Sequence, residues 1–453
     1  MLRAPVRHFV SLLHRPPRPP THRQPSHLCP TMTTAAPATH PGFQPMLLAL
    51  PSLTPSLALE VLPYGLTLHR LFVQADGKTH DILIGPETPS DHLVQKYTNT
   101  IIGRYANRVP AGTHSVARNG LSSTLTAAAN ESPSVSLHGG ITGWDLQPWE
   151  PLPDPSAAQL FTPAELTRLQ TDAPTSVIFS RVSEDGEEGY PGRLLCEVLV
   201  GLTQPKGKPS EDGKLWKLGS VILVYRAKLL DEGKVTPINI TQHWGFNLDA
   251  SLQDGQTIKD HKLTIKADNT IALGADANST GTLAPVGGTH HAHVEKTTRK
   301  IGERFPENGY DEFYLFAPRK IVAPTRLPAA ELTPKTDLLA AVDEDADAVV
   351  ELESDKSGLK LAFHTNQSGV QFYSNNFSSP AGTARKKIHG GNGAQGDGYE
   401  PGSAAFLEFH EPLAAWLHPG TVGASGNDTL LASGEVYNNY VRMDVLYRSS
   451  EPL

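Results

Sequence analysis

The chain reads as an all-β protein, a large antiparallel sandwich or barrel with few short helices, and three observations carry that reading. Its 453 residues hold 39 glycines and 38 prolines against a hydrophobic fraction of 38%, a balance that suits a loop-rich β protein better than a helical one. Apolar and polar residues alternate in short segments rich in β-branched side chains and bounded by Gly, Pro, Asn and Asp. Convincing helical stretches are few, and the sequence lacks the alternating strand and helix units that build a nucleotide-binding α/β fold.

Taken in order, the strands expected from this period-two pattern are 66–74, 176–182, 194–202, 220–229, 359–364, 370–373, 405–409 and 440–447. Helical spacing is best at 162–170 and 328–341. Three polar inserts interrupt the pattern: 204–217 is charged, 333–355 is acidic, and 380–402 is Gly-rich around Arg385-Lys386-Lys387. The basic triplet reads as a solvated loop, with a phosphate contact as the sharper alternative. No insert is long enough to separate two cores, so one domain is expected over 60–453 behind a leader of 1–59. That leader has no Asp or Glu before Glu60 and begins with arginines, histidines and prolines. It fits a mitochondrial transit peptide, a disordered leader, or residues upstream of a true start at Met32.

Composition also bounds the partners. A net charge of −8 without a basic stripe or zinc-finger spacing argues against nucleic acid. No apolar run approaches the roughly 20 residues that span a bilayer. Cys29 and Cys196, far apart, make no disulfide framework, which points to a reduced, cytoplasmic setting.

Two histidines stand in unusual company. His138 lies in Ser136-Leu137-His138-Gly139-Gly140, where paired glycines let backbone or ligand approach the ring. His243 lies in an apolar, aromatic stretch, 240–248, that reads as a strand entering a pocket. Imidazole is the side chain best suited to proton exchange near neutral pH. Asn107 and Arg108, Asp311, Gln371 and Glu408 are further polar residues in strands or tight loops. Alternation puts Gln371 and Glu408 on the face opposite their apolar neighbours, which suits either solvent or a polar pocket. Singly, each of these reads as an ordinary structural or surface residue. His290, His291 and His293 follow Gly287-Gly288 without a carboxylate or cysteine at ligand spacing, so they read as surface or rim residues and no metal site is expected.

In sequence order, these blocks resemble the aldose 1-epimerase (galactose mutarotase) family. The matching pieces are Gly-Arg-Tyr-Ala-Asn-Arg-Val at 103–109, Leu-His-Gly-Gly-x-x-Gly-Trp-Asp at 137–145 and Thr-Gln-His-x-x-Phe-Asn-Leu at 241–248. Gly-Tyr-Asp at 309–311, Gly-Val-Gln-Phe-Tyr at 369–373 and Phe-Leu-Glu at 406–408 complete the series. The resemblance implies a β-sandwich of the galactose mutarotase type and a cofactor-independent isomerase acting on a free aldohexose such as glucose or galactose. By the same resemblance Glu408 is the base that takes the C1 hydroxyl proton, and His243 the acid that protonates the ring oxygen. His138 is then the second imidazole near that oxygen, and Asn107, Arg108, Asp311 and Gln371 hold the sugar hydroxyls. Opening and reclosing a ring needs one group to take a proton while another gives one, each worth roughly 10²–10⁴-fold in rate.

The chain departs from the family at three places. Gln242 precedes His243, Glu312-Phe313 follow Asp311, and Phe409-His410-Glu411-Pro412 follow Glu408. These departures keep two alternatives open: a hexose-6-phosphate 1-epimerase, which needs arginines or lysines at the pocket, and a non-catalytic carbohydrate-binding protein.

Overall fold

The two longest strands, Leu215–Leu229 and Glu435–Arg448, lie side by side and antiparallel at the centre of a ten-stranded sheet. A computed structural model describes residues 40–206, 210, 213–254, 257–294, 299–343, 347–419 and 427–449. On one flank of the central pair come Leu194–Thr203 and Thr175–Ser183; on the other come Leu359–Thr365, Val350–Glu353 and Lys262–Ile265. Every residue of Leu194–Thr203 is buried, because both faces of this sheet are covered. Val198, Val200 and Leu202 enter the main core, while Leu199 turns to the opposite face with Ile178, Ile222 and Val224.

The helix Pro163–Asp172 covers that opposite face through Leu169, beside Phe161. It starts where the sequence says it should. Thr162 accepts from the Glu165 N–H at 3.2 Å and Glu165 accepts from the Thr162 N–H at 2.9 Å, with Pro163 opening the first turn.

A six-stranded sheet carries Asp311, Gln371 and Glu408. Its order is Gly245–Phe246, Ala405–His410, Gly369–Tyr373, Asp311–Phe316, Ala267–Leu273, Ser279–Pro285, all antiparallel. A four-stranded sheet, Met46–Ala49, Leu57–Leu62, Thr67–Ala75 and Lys78–Asp81, closes the core. Leu59 and Val61 from this sheet, Val198 and Leu223 from the large sheet, and Val370, Phe372 and Leu407 from the six-stranded sheet belong to one continuous apolar cluster. The architecture is therefore an all-β sandwich with one shared core.

Four sequence expectations change here. The ordered sheet begins at Met46, ahead of Glu60 and inside the 1–59 leader, because the apolar run Met46-Leu47-Leu48-Ala49 pairs with Leu57–Leu62. Residues 1–39, with Met32 and Cys29, lie outside the described residues. The helix expected at 328–341 does not form: the strand Arg326–Pro328 and two short 3₁₀ turns, Ala329–Glu331 and Leu339–Val342, replace it. Pro334 in its middle removes a donor and disfavours helix at the residue before it. The acidic insert contains a true strand, Val350–Glu353. Lys386 is wholly buried rather than solvated, its ammonium donating to the carbonyls of His69 at 2.6 Å and Leu83 at 2.8 Å and to Asp81 at 2.8 Å. Among the described residues no helix is long and apolar enough to cross a membrane.

Candidate active site

Strand register assembles one wall of the site. Gln371 lies directly opposite Glu408, and Asp311 opposite Tyr373, so three of the polar residues singled out in the sequence come together on the six-stranded sheet. His243 sits between the strands Thr241–Gln242 and Gly245–Phe246, and the second of these pairs with Phe406 and Ala405 just ahead of Glu408. Gln242 fixes this crossing by donating to the carbonyls of Leu66 at 3.1 Å and Asn99 at 2.6 Å. The Trp244 indole N–H donates to the Leu407 carbonyl at 2.8 Å.

His138 arrives from a separate loop. It takes a left-handed φ of 52°, and its Nδ1 accepts from the Asn107 backbone N–H at 3.2 Å. A neutral ring that accepts at Nδ1 carries its proton on Nε2, so His138 is a hydrogen-bond donor at that atom. The two glycines that follow are needed for close packing against protein. A Cβ on Gly139 would lie 2.1 Å from the Gly103 carbonyl oxygen, and one on Gly140 would lie 2.3 Å from the Glu188 carboxylate.

All seven residues named from the sequence (Asn107, Arg108, His138, His243, Asp311, Gln371 and Glu408) line one cavity of about 380 Å³. That size suits a small ligand. His243 Nε2 stands 3.3 Å from Glu408 Oε1, and the two imidazoles meet edge to face with centroids 5.2 Å apart. Gln371 donates to Asp311 at 2.8 Å, and Arg108 reaches the other Asp311 oxygen at 3.3 Å. Three buried polar atoms here have no protein partner among the described residues: Glu408 Oε2, His243 Nδ1 and Gln371 Oε1. Unpaired buried polar atoms are costly, and a hydroxyl-rich ligand, which both donates and accepts, could satisfy those that face the cavity.

Burial dominates the electrostatics. It pushes His243 down to about 4 and His138 well below the ordinary imidazole range, and neighbouring His243 adds to the effect on His138. Burial, reinforced by Asp311, pushes Glu408 well above the usual carboxylate range, while Arg108 opposes the shift. A protonated His243 is the expectation for an acid; burial instead disfavours both charged forms, the imidazolium of His243 and the carboxylate of Glu408.

The ligand atoms of His138, His243 and Glu408 lie within 4.8 Å of one another, close enough to suggest a metal. The donor set does not fit one, because the Nε2 proton of His138 occupies the lone pair a metal would need.

Other residues reach the cavity without a sequence signal. Tyr97 packs on His138 at 4.7 Å, Phe406 on His243 at 4.8 Å, and Tyr373, Lys96 and Glu131 join the lining. Of these, Phe406 and Tyr373 carried a hint, since each lies in a matching motif block two residues from a named site residue on the same strand. The histidine cluster at 290–293 is not at the surface throughout. His293 is buried against Tyr310 and Phe372, and His291 Nδ1 bonds the Tyr314 hydroxyl at 2.9 Å, so these rings fill aromatic core space.

With the geometry of the cavity in place, sequence comparison decides the family. The aldose 1-epimerase profile matches residues 53–444. The chain belongs to the aldose 1-epimerase family. It is similar to galactose mutarotase of Homo sapiens, 32% identical over 326 residues covering 71% of this chain and 75% of that protein. A galactose mutarotase of Bos taurus is 30% identical over 357 residues, covering 78% and 82%. The fold matches the crystal structure of an aldose epimerase homologue from C. elegans with a TM-score of 0.63 at 20% identity, covering 89% of this chain and all of that one. As a member of this aldose 1-epimerase family the chain is an isomerase acting on sugars.

Proposed function

We propose that this aldose 1-epimerase interconverts the anomers of an unphosphorylated aldohexose, with Glu408 and His243 exchanging protons with the sugar and His138 donating from Nε2 to hold it. The observation that carries the assignment is the 3.3 Å contact between His243 Nε2 and Glu408 Oε1 at the base of the cavity. Between them the pair holds one proton. As an ion pair, Glu408 takes the proton of O1–H while His243 gives one to the ring oxygen; the C1–O5 bond breaks and C1 becomes a carbonyl. The pair then stands neutral, which is the form burial favours, so burial of the pair stabilises the open-chain state. Rotation about C1–C2 and return of both protons closes the ring on the other face.

The charges of the cavity favour a neutral sugar. Glu131 and Asp311 line it against the cations Lys96 and Arg108, and Arg108 is already bound to both carboxylates, so no surplus of positive charge awaits a phosphate. Three other cations that could read a phosphate are engaged elsewhere. Arg385 pairs with Asp397 at 3.0 Å, Lys386 is buried on Asp81, and Arg104 is buried on Ser183 and the carbonyl of Gly192. Polarimetry of fresh α-D-glucose or α-D-galactose should show equilibration well above the spontaneous rate, at least about tenfold faster than for glucose 6-phosphate, as one uncompensated charge contact implies. Saturable sugar binding without acceleration would leave only the carbohydrate-binding reading standing. A cytoplasmic setting belongs to the same reading, supported by the free thiol of buried Cys196.

A pH dependence follows from the shared proton. Below a pH of about 4, His243 takes a second proton and the base is lost. Loss of the last proton, from Glu408, sets the alkaline limb, which lies well above the usual carboxylate range. The profile of kcat/KM should therefore stay flat through 6.5, where an unshifted imidazole would titrate. An acid limb centred near 6.5 would rule out the buried neutral pair.

A further inference from the structure

Glu131 is a cavity residue that the mechanism above does not use. It lies in the turn between the strands Leu121–Ala127 and Val135–Leu137, and its side chain keeps 30% of its surface. Its carboxylate takes Arg108 as a fork, with Nε to Oε2 at 2.9 Å and Nη2 to Oε1 at 2.9 Å. The same Nη2 reaches Asp311 at 3.3 Å from the far side. A single guanidinium thus sits between two carboxylates from distant parts of the chain, and these bonds leave Nη1 as its edge for a sugar hydroxyl.

The turn is itself held in place. The neighbouring Asn130 side chain donates to the carbonyls of Leu137 at 3.0 Å and Gly140 at 2.6 Å and accepts from the Leu137 N–H at 2.6 Å. Glu131 is therefore fixed to the segment that carries His138.

We propose that Glu131 is a positioning residue that holds Arg108 between two carboxylates and withholds its charge from Glu408. The inference rests on Glu408 being the proton acceptor. Around Glu408 stand His243, His138, Gln371, Tyr373, Asp311 and Arg108, with His410 beyond His243, and Arg108 is the permanent cation of this group. An uncompensated guanidinium favours the Glu408 carboxylate and disfavours an imidazolium at His243, so it weakens the base and resists every protonation of the pair. Glu131 neutralises that effect while aiming Nη1.

The test is the pH profile of kcat/KM measured by polarimetry on E131Q, E131D and R108M. In E131Q both limbs should move to lower pH, by on the order of one unit, and KM should rise several-fold. E131D retains the charge and should return the limbs toward their original position. In the R108M background, E131Q should no longer move them. Limbs that stay in place in an active E131Q enzyme, or that shift equally without Arg108, overturn the inference. An E408Q enzyme at full rate would instead overturn the Glu408 assignment itself; a slow E408Q together with unmoved E131Q limbs removes Glu131 alone.

Discussion

Glu408→Gln should slow mutarotation by about 10³-fold or more while sugar affinity changes little, because a positioned acid–base group contributes roughly 10²–10⁴-fold. The amide keeps the shape of the carboxyl and its place opposite Gln371, so Asp311, Arg108 and Gln371 still meet the hydroxyls. The glutamine amide cannot take the O1 proton. The same substitution should leave the melting temperature unchanged or raise it, since Glu408 is a buried acid held far from its preferred charge state. The pair of readouts separates chemistry from folding. A variant that loses both rate and stability has lost structure, whereas a variant that keeps the rate shows that some other group accepts the proton. A thermal melt, calorimetric titration with galactose and single-point polarimetry together decide.

Much of this arrangement was legible in the sequence, for a local reason. The strand segments 194–202, 359–364 and 370–373 reappear as Leu194–Thr203, Leu359–Thr365 and Gly369–Tyr373, because alternation and turn residues are written into neighbouring positions. The seven site residues were legible only through motif order. Nothing in the local sequence around Gln371 or Glu408 says that they face each other across two strands, and alternation alone left solvent as an equal reading.

What stayed hidden depends on distant partners. Lys386 in a basic triplet reads as solvated, but its partner Asp81 lies 305 positions away. His293 follows two glycines and a polar run, yet Tyr310 and Phe372 close over it. Glu131, in the sequence Asn130-Glu131-Ser132, looks like any acidic turn until Arg108 is placed beside it. Each of these residues departs from its local context because its surroundings are set by distant partners, and for Lys386 the pairing lets a charge tolerate burial that an isolated one would not.

The largest expected effect on stability lies on the opposite face of the large sheet. Arg226 and Glu165 are both fully buried, and the guanidinium engages the carboxylate at 2.6 Å and 2.5 Å. Arg226 also donates to the Leu160 carbonyl at 2.6 Å and to Asn438 at 3.1 Å, with Phe161 stacked under it at 4.5 Å. Glu165 in turn caps the helix Pro163–Asp172 and accepts from the Leu338 N–H at 2.9 Å. Arg226→Met should cost about 3–5 kcal/mol, since it strands a buried carboxylate rather than removing a balanced pair. Urea denaturation at neutral pH would read this as a lower midpoint at nearly unchanged slope. Adding Glu165→Leu should recover most of the loss, because two apolar side chains of similar volume replace the pair without an unmet charge. Mutarotation by the folded variant should stay at the parent rate, as neither side chain lines the catalytic cavity. A single substitution costing less than about 1 kcal/mol, the range of exposed pairs, would mean that water reaches the pair and that the helix does not seal this face.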